Sequence, residues 1–348
     1  DTLAAWLEAE RGLVDLARER RSYETLGMDA AYAVREGAVR DARLHRKGDP
    51  SDLGETIPRG WLTVLGGQTV REPASSGRAE LVEWVFGSAR GLAARVWANR
   101  IWQGHFGKGI VATPNDFGVR GAAPLSRELL DTLAAHLVRT GWDTKALHRL
   151  VLTSAAWKAG SVDGPATAGL GTVPRRRLEA EEIRDTLLMI SGELDTTRGG
   201  AHPFPPTTTW SFSQHAPFVA EYETNRRTVY VMQKRNRALP FLALFDGPDP
   251  NASTAVRDET NVPTQALWFL NNPFALARSR SVGAGVTAVP AASRFAHLWR
   301  TVLGRQPTAE ERTFARNHRD SLVAVSETER WASLARVLFA SNEFLYVD

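Results

Sequence analysis

A mainly α, multi-helix globular fold with a small antiparallel β element is predicted by three features of this 348-residue sequence. Apolar residues recur at helical spacing along most of the chain. Ser, Thr, Asn and Pro stand where helices would start, and Gly where they would stop. Runs rich in β-formers are confined to residues 30–46 and 227–233.

Asp1 to Arg21 reads as a helix, with Leu3, Trp6, Leu7, Leu13 and Leu16 near helical spacing. No basic and then apolar leader precedes it, so the chain reads as a processed or trimmed piece of a longer protein. Residues 31–34 and 39–45 flank Glu36-Gly37 as a hairpin. Asp49-Pro50 and Gly54 mark a loop, 58–67 is irregular, and 71–77 is the linker candidate.

Helices dominate afterwards. They are expected over 77–86, 88–106, from the cap Ser126 to Arg139, and from a cap at Thr144. Residues 161–171 are Gly- and Ala-rich and read as a mobile loop. Residues 175–194 read as one regular helix, with Ile183, Leu187, Ile190 and Leu194 in a stripe. Pro203, Pro205 and Pro206 forbid regular structure. Arg227 to Gln233 is the best strand, and 239–246 a short apolar helix or turn. Asn261-x-Pro263 starts a helix that Asn272-Pro273 interrupts, and another ends at Gly304. Thr308-x-x-Glu311 and Ser326-x-x-Glu329 are capping boxes. The expected division is residues 1–75, a helix and hairpin, and residues 76–348, a large helical domain. The two form one continuous unit with the hairpin packed on the helices.

Composition removes several classes. No Cys means no disulfides, thiolate zinc, iron–sulfur cluster or covalent c-type haem in this segment. No apolar run reaches about 18 residues, so no transmembrane segment is expected. Lys plus Arg number 43 against 39 Asp plus Glu, and only five are Lys. Arg favours bidentate contact with carboxylate, phosphate or sulfate. With 11 Trp, that suits an anionic polymer or sugar surface. Nucleic acid is not an expected partner, because acidic residues are interspersed throughout.

Standard catalytic signatures are missing: no HExxH, P-loop, G-x-G-x-x-G or G-x-S-x-G occurs. Three polar groupings remain. On the helix before Gly107, Arg95, Asn99, Trp102 and Phe106 share a face, with Arg100 and His105 nearby. That face reads as a sugar or anion site, or as a helix whose Trp97 and Trp102 are core and whose Arg and Asn satisfy neighbouring backbone. In 175–185, Glu181 and Asp185 lie four apart beside Arg177 and Arg184. They read as an acid/base pair or as ordinary ion pairs. Asp246, Arg257, Pro263 to Leu267 and Asn271-Asn272-Pro273 gather where elements end, as does Asp116 in a turn.

The strings Arg95 to Gly109, Thr113 to Gly118, Glu128-Leu-Leu-Asp131, Lys145 to Arg149 and Arg177-Leu-Glu-Ala-Glu181 resemble one family in collinear order. Phe245-Asp246, Pro263 to Leu267 and Ser341 to Tyr346 complete the likeness, which spans residues 40–348. The family is the planctomycete-type domain of unknown function fifteen fifty-three. The resemblance implies the C-terminal domain of an exported, periplasmic or extracellular protein. A cytochrome c-like domain would lie upstream, so any haem would sit outside this segment, and no cofactor or metal is expected within it. It supplies no reaction. The chain departs from the family at Leu125-Ser126-Arg127, where Ser-His-Pro is usual, and at Gly104, where a second His is common.

The functional expectation is a domain that binds or acts on a carbohydrate or anionic substrate within a larger cytochrome-linked protein. Glu181, Asp185 and Asp246 are the candidate catalytic carboxylates. Arg100, His105, Asp116, Arg184 and Arg257 are the candidate substrate-binding residues. The competing expectation is a non-catalytic module that docks the upstream electron-transfer domain or a partner. Such a module would use an exposed apolar patch around Trp6.

Overall fold

The computed structural model describes residues 2–25, 34, 36–159, 161–162, 173–199, 224–235 and 238–347. The chain divides into two compact units, residues 1–93 and 94–348.

The first unit opens with helix α1 (Thr2–Thr25), on which Trp6, Leu13, Val14 and Leu16 are exposed. Strands β1 (Ala42–His45) and β2 (Leu53–Ile57) follow as an antiparallel pair. The connection turns through Lys47 and Gly48, both with positive φ. Asp49 tightens it by accepting from the amide and hydroxyl of Ser51. Of the hairpin expected around Glu36-Gly37, residues 42–45 pair forward with 53–57. Its other arm, 31–33, lies outside the described residues.

Polar staples hold this unit. Asp41 accepts from the Arg59 amide and Nε, while Arg59 also donates to the Pro73 and Ser75 carbonyls. Glu36 accepts from Ser76 and pairs with Arg78 at the start of α2 (Arg78–Phe86). Trp61 stacks on Trp84 at 6.0 Å. Among its described residues only Gly54, Gly77 and Ala89 are buried, so they build almost no apolar core.

The second unit contains two apolar clusters. The smaller joins α3 (Arg90–Phe106), α4 (Arg127–Arg139) and α5 (Thr144–Thr153) through Ala98, Ile101, Leu130, Leu137 and Leu147. Ser126 caps α4 as expected, its hydroxyl accepting from the Leu129 amide. The cap of α5 is Asp143, whose carboxylate accepts from Ala146 N, and not Thr144. Trp97 is corrected as well: it is exposed, and its indole N–H donates to Thr144. The short α6 (Ala155–Lys158) follows, then a parallel pair of two-residue strands, β3 (Ser161–Val162) and β4 (Val173–Pro174). Residues 163–172, the core of the expected mobile loop, and the prolines at 203–206 lie outside the described residues.

The expected helix over 175–194 is shorter, because its first residues are extended. Strand β5 (Arg176–Arg177) pairs with the C-terminal β6 (Tyr346–Val347), and Leu178 N donates to Leu345 O. Helix α7 (Ala180–Ile190) starts after Glu179 and buries Ile183, Leu187 and Leu188. The strand expected at 227–233 is a 3-10 turn over Thr228–Tyr230. Asp185 on α7 accepts from the Thr228 amide and hydroxyl, which fixes this segment as a cap instead of a ladder strand.

The larger cluster gathers α7, α8 (Pro240–Leu244), α9 (Pro263–Asn271), α10 (Pro273–Ala288), α11 (Arg294–Leu303), α12 (Ala309–Ser321), α13 (Glu327–Phe339) and α14 (Asn342–Leu345). Trp299, Trp331, Phe269 and Phe339 are its largest fully buried members. Asn272 breaks α9 from α10, its Oδ1 accepting from Phe274 N, and Gly304 ends α11 at φ 73°. Thr308 and Glu311 form the reciprocal box. At α13 only half the box exists, because the Glu329 carboxylate pairs with Arg280.

Candidate functional site

A cleft of about 570 Å³ opens between the two clusters of the second unit. One wall is the end of α3, which presents Arg100, Gln103 and Phe106. Gly107, at φ 74°, turns the chain out of the helix, and Lys108 follows. Asn99, fully buried, fixes the return path. Its Oδ1 accepts from Val111 N at 2.8 Å, and its Nδ2 donates to Val111 O at 3.0 Å.

The opposite wall is the extended segment 175–179 with Phe245, Asp246 and the loop 253–259. Two bonds tie this loop to the first wall: Gln103 Nε2 to the Ala255 carbonyl at 3.1 Å, and Asn115 Nδ2 to Ser253 Oγ at 3.4 Å. Arg177 is buried beneath, donating to the Thr260 carbonyl and to Gln265 Oε1. Asp246 takes a left-handed φ of 59°, uncommon outside Gly. Its carboxylate holds that turn by accepting from Thr260 N at 2.8 Å and Thr260 Oγ1 at 2.9 Å.

Charges in the cleft are of two kinds. Some are matched. Arg176 forks onto Glu182 at 2.7 and 2.9 Å, and Arg257 donates to Glu181 at 2.9 Å and stands 3.6 Å from Glu179. Burial pushes Glu182 up, but the Arg176 and Glu179 N–H bonds outweigh it and hold its carboxyl below the ordinary value. Glu179 goes the other way. Burial, with Glu182 and Glu181 beside it, pushes its carboxyl above the ordinary value against the pull of Arg257. The second kind is unmatched. Among the described residues Arg100 bonds only the Asn115 side chain, at 3.2 Å, and Lys108 has no ion-pair partner. Asp258 and Glu259 likewise line the cleft without a described partner. Arg257 Nη1, Glu181 Oε2 and Arg177 Nε are shielded from solvent with no partner among the described residues.

The eight candidate residues separate. Arg100, Asp246 and Arg257 line this cleft, with Glu181 bonded to Arg257. His105 does not line it. Its Nε2 lies 2.7 Å from His148 Nδ1, edge-on to Trp157. Burial, then His148 and Arg176, lower its basicity. Asp116 forms an Asx turn, accepting from Gly118 N at 2.8 Å. Asp185 caps the 228–230 turn, and Arg184 lines a different cavity. Sequence reasoning passed over Gln103, Lys108, Arg176 and Glu179. The Glu179-x-x-Glu182 spacing signalled a helix start inside the acidic run, which would have freed 175–179 to be a cleft wall. Among the described residues no group of three or more His, Asp or Glu is placed to hold a metal ion. No described helix is long and apolar enough to cross a membrane.

The cleft is thus built by a mainly α domain from strings scattered between Arg100 and Gln265, all inside one matched family span. The family model Protein of unknown function (DUF1553), PSD1, covers residues 77–318, and the chain belongs to that family. No curated protein and no solved structure matches it.

Proposed function

We propose that the cleft binds an acidic carbohydrate, a sulfated or uronate-bearing oligosaccharide. The observation that carries this is the pairing of unmatched charges on one polar cleft. Arg100 and Lys108 offer hydrogen-bond donors to an anionic substituent, and Asp258 and Glu259 offer acceptors to sugar hydroxyls. Phe106 and Phe245 supply apolar surface beside them, and the volume falls in the range of ligand pockets. Within this reading the protein is exported and belongs to a larger cytochrome-linked chain, and this domain captures the saccharide.

Calorimetric titration with short dextran sulfate and with its uncharged parent dextran tests the reading. The sulfated chain binds, more weakly as salt rises, and the neutral chain binds far less. The double substitution Arg100→Ala, Lys108→Ala weakens binding by about tenfold or more, since a charge-assisted bond contributes about 1.5–3 kcal/mol. Equal binding of both polymers, or no effect of the substitutions, sinks it. A second reading, a module that docks a partner, is favoured by the exposed Trp6, Leu13, Val14 and Leu16 of α1. It separates in the same experiment, because it expects no saccharide binding.

A further inference from the structure

A second cavity, about 410 Å³, lies under α10 and is lined by different residues. Its walls are largely apolar: Val231, Met232, Leu239, Phe241, Phe274 and Ala277. Its polar end is cationic. Arg184 of α7 and Arg278 of α10 both stand over the Phe274 ring, at 5.5 and 4.7 Å from its centre. Lys234, nine-tenths buried, lines the same cavity. Among the described residues no carboxylate lines it.

The charge balance there is incomplete. The Arg184 fork donates to the Thr224 and Arg226 carbonyls and to Thr228 Oγ1. Those bonds orient it but are neutral. Its nearest described carboxylate, Asp185, is 3.8 Å away and is also 3.7 Å from Arg227. Arg278 pairs with Glu193 at 2.8 Å, yet its Nε is buried without a partner among the described residues. Burial, and Arg278 nearby, lower the basicity of Arg184, as expected where two guanidiniums crowd one ring. Pro273 and Phe274 bring the first turn of α10 to the same end, adding the partial positive charge of a helix start.

We propose that this cavity is a binding site for a small amphipathic anion. Its carboxylate or sulfate head would sit between Arg184 and Arg278, and its apolar body against Met232, Leu239 and Phe241. An anion there relieves the repulsion between the two cations, and the apolar walls exclude a fully hydrated ion. A cation or a neutral chain gains only the second half of that. The site is independent of the acidic-carbohydrate cleft.

The probe is anilinonaphthalene sulfonate, whose fluorescence rises in apolar surroundings. It is titrated into the full chain and then displaced by octyl sulfate, octanoate, octyltrimethylammonium or inorganic sulfate. Saturable one-to-one binding is expected, displaced by octyl sulfate and octanoate but not by the cation or the inorganic ion. Displacement by octyl sulfate alone would also sustain the proposal and narrow the head to sulfate; by octanoate alone, to carboxylate. Arg278→Gln weakens binding by about tenfold. Ala277→Phe fills the cavity and abolishes binding while leaving dextran sulfate binding unchanged. Equal displacement by octyltrimethylammonium, or unchanged affinity in Arg278→Gln, overturns the proposal. If Ala277→Phe does not fold, judged by circular dichroism, Arg278→Gln decides.

Discussion

At the scale of single residues, the most consequential side chain is one that never reaches the cleft. Asn99 meets both the N–H and the C=O of Val111, and both residues are buried. A backbone amide in that position has no water to fall back on. Asn99→Ala leaves two buried groups unpaired and is expected to cost about 3 kcal/mol, since each orphan costs about 1–3 kcal/mol. Asn99→Asp is at least as damaging, because it turns an acceptor toward the Val111 carbonyl. The urea midpoint of unfolding measures both, and a loss under about 0.5 kcal/mol for Asn99→Ala would contradict the clamp. The sequence exposed the helix face carrying Arg95 and Asn99, and one of its two readings was that such residues satisfy their neighbours. Asn99 does so at Val111, whereas Arg95 instead pairs with the Asp131 carboxylate at 2.6 Å. What the sequence did not expose was partnership across long separations. Nothing local links Glu181 to Arg257 or Arg177 to Thr260, because those pairs are made by the packing of α7 against the 245–265 segment.

At the scale of elements, helices were legible where their periodicity and caps agreed. Ser126, Thr308 and Gly304 bound helices as expected. Short β pieces were not legible. Arg176-Arg177 is a strand only because the C-terminus lies alongside it, and 227–233 lost its strand to the Asp185 cap. Propensity yields to tertiary partners in just such short runs. Helix packing supplies a sharper case. Helices α10 and α13 pack closely through small residues, including Ala275, Ser279, Gly283, Ala332 and Ala335, all buried. A Cβ on Gly283 would lie 2.6 Å from Thr328 O and 2.9 Å from Ala332 N. These are backbone atoms and cannot rotate away. Gly285, two positions on, is exposed and has nothing within 4 Å. Gly283→Ala is therefore expected to destabilise by about 1–2 kcal/mol, an overpacking cost of about 1–3 partly offset by better helix propensity. Gly285→Ala gains up to about 1 kcal/mol from propensity alone. Opposite shifts in thermal midpoint are the readout, and shifts of the same sign would mean that the helices do not meet at Gly283.

At the scale of the whole molecule, burial is distributed unevenly, and stability should follow it. The unit of residues 1–93 is joined by exposed ion pairs, a Trp stack and a two-strand hairpin, with almost no buried apolar side chain among the described residues. Exposed pairs contribute about 0–1 kcal/mol each, and an isolated hairpin is marginal. The unit of residues 94–348 owns both apolar clusters, and its α10 and α13 carry Val282, Val286, Trp331, Leu334 and Phe339 in full or near-full burial. Local opening free energy tracks such burial, so the two units should not open together. Native-state hydrogen exchange is expected to show amides of β1, β2 and α2 exchanging by local opening, far faster than those of α10 and α13. The latter should exchange only at the rate of global unfolding. Adding denaturant should raise exchange in α10 and α13 steeply and in β1 and β2 only slightly, because a small opening exposes little new surface. Uniform protection across both units would require a cooperativity that polar staples alone do not provide. It would mean that residues 1–93 are stabilised by something beyond their own contacts. The composition could not foretell this asymmetry. Trp, Leu and Val are spread evenly along the sequence, and only packing decides that Trp331 is fully buried while Trp6 is left at 58% exposure.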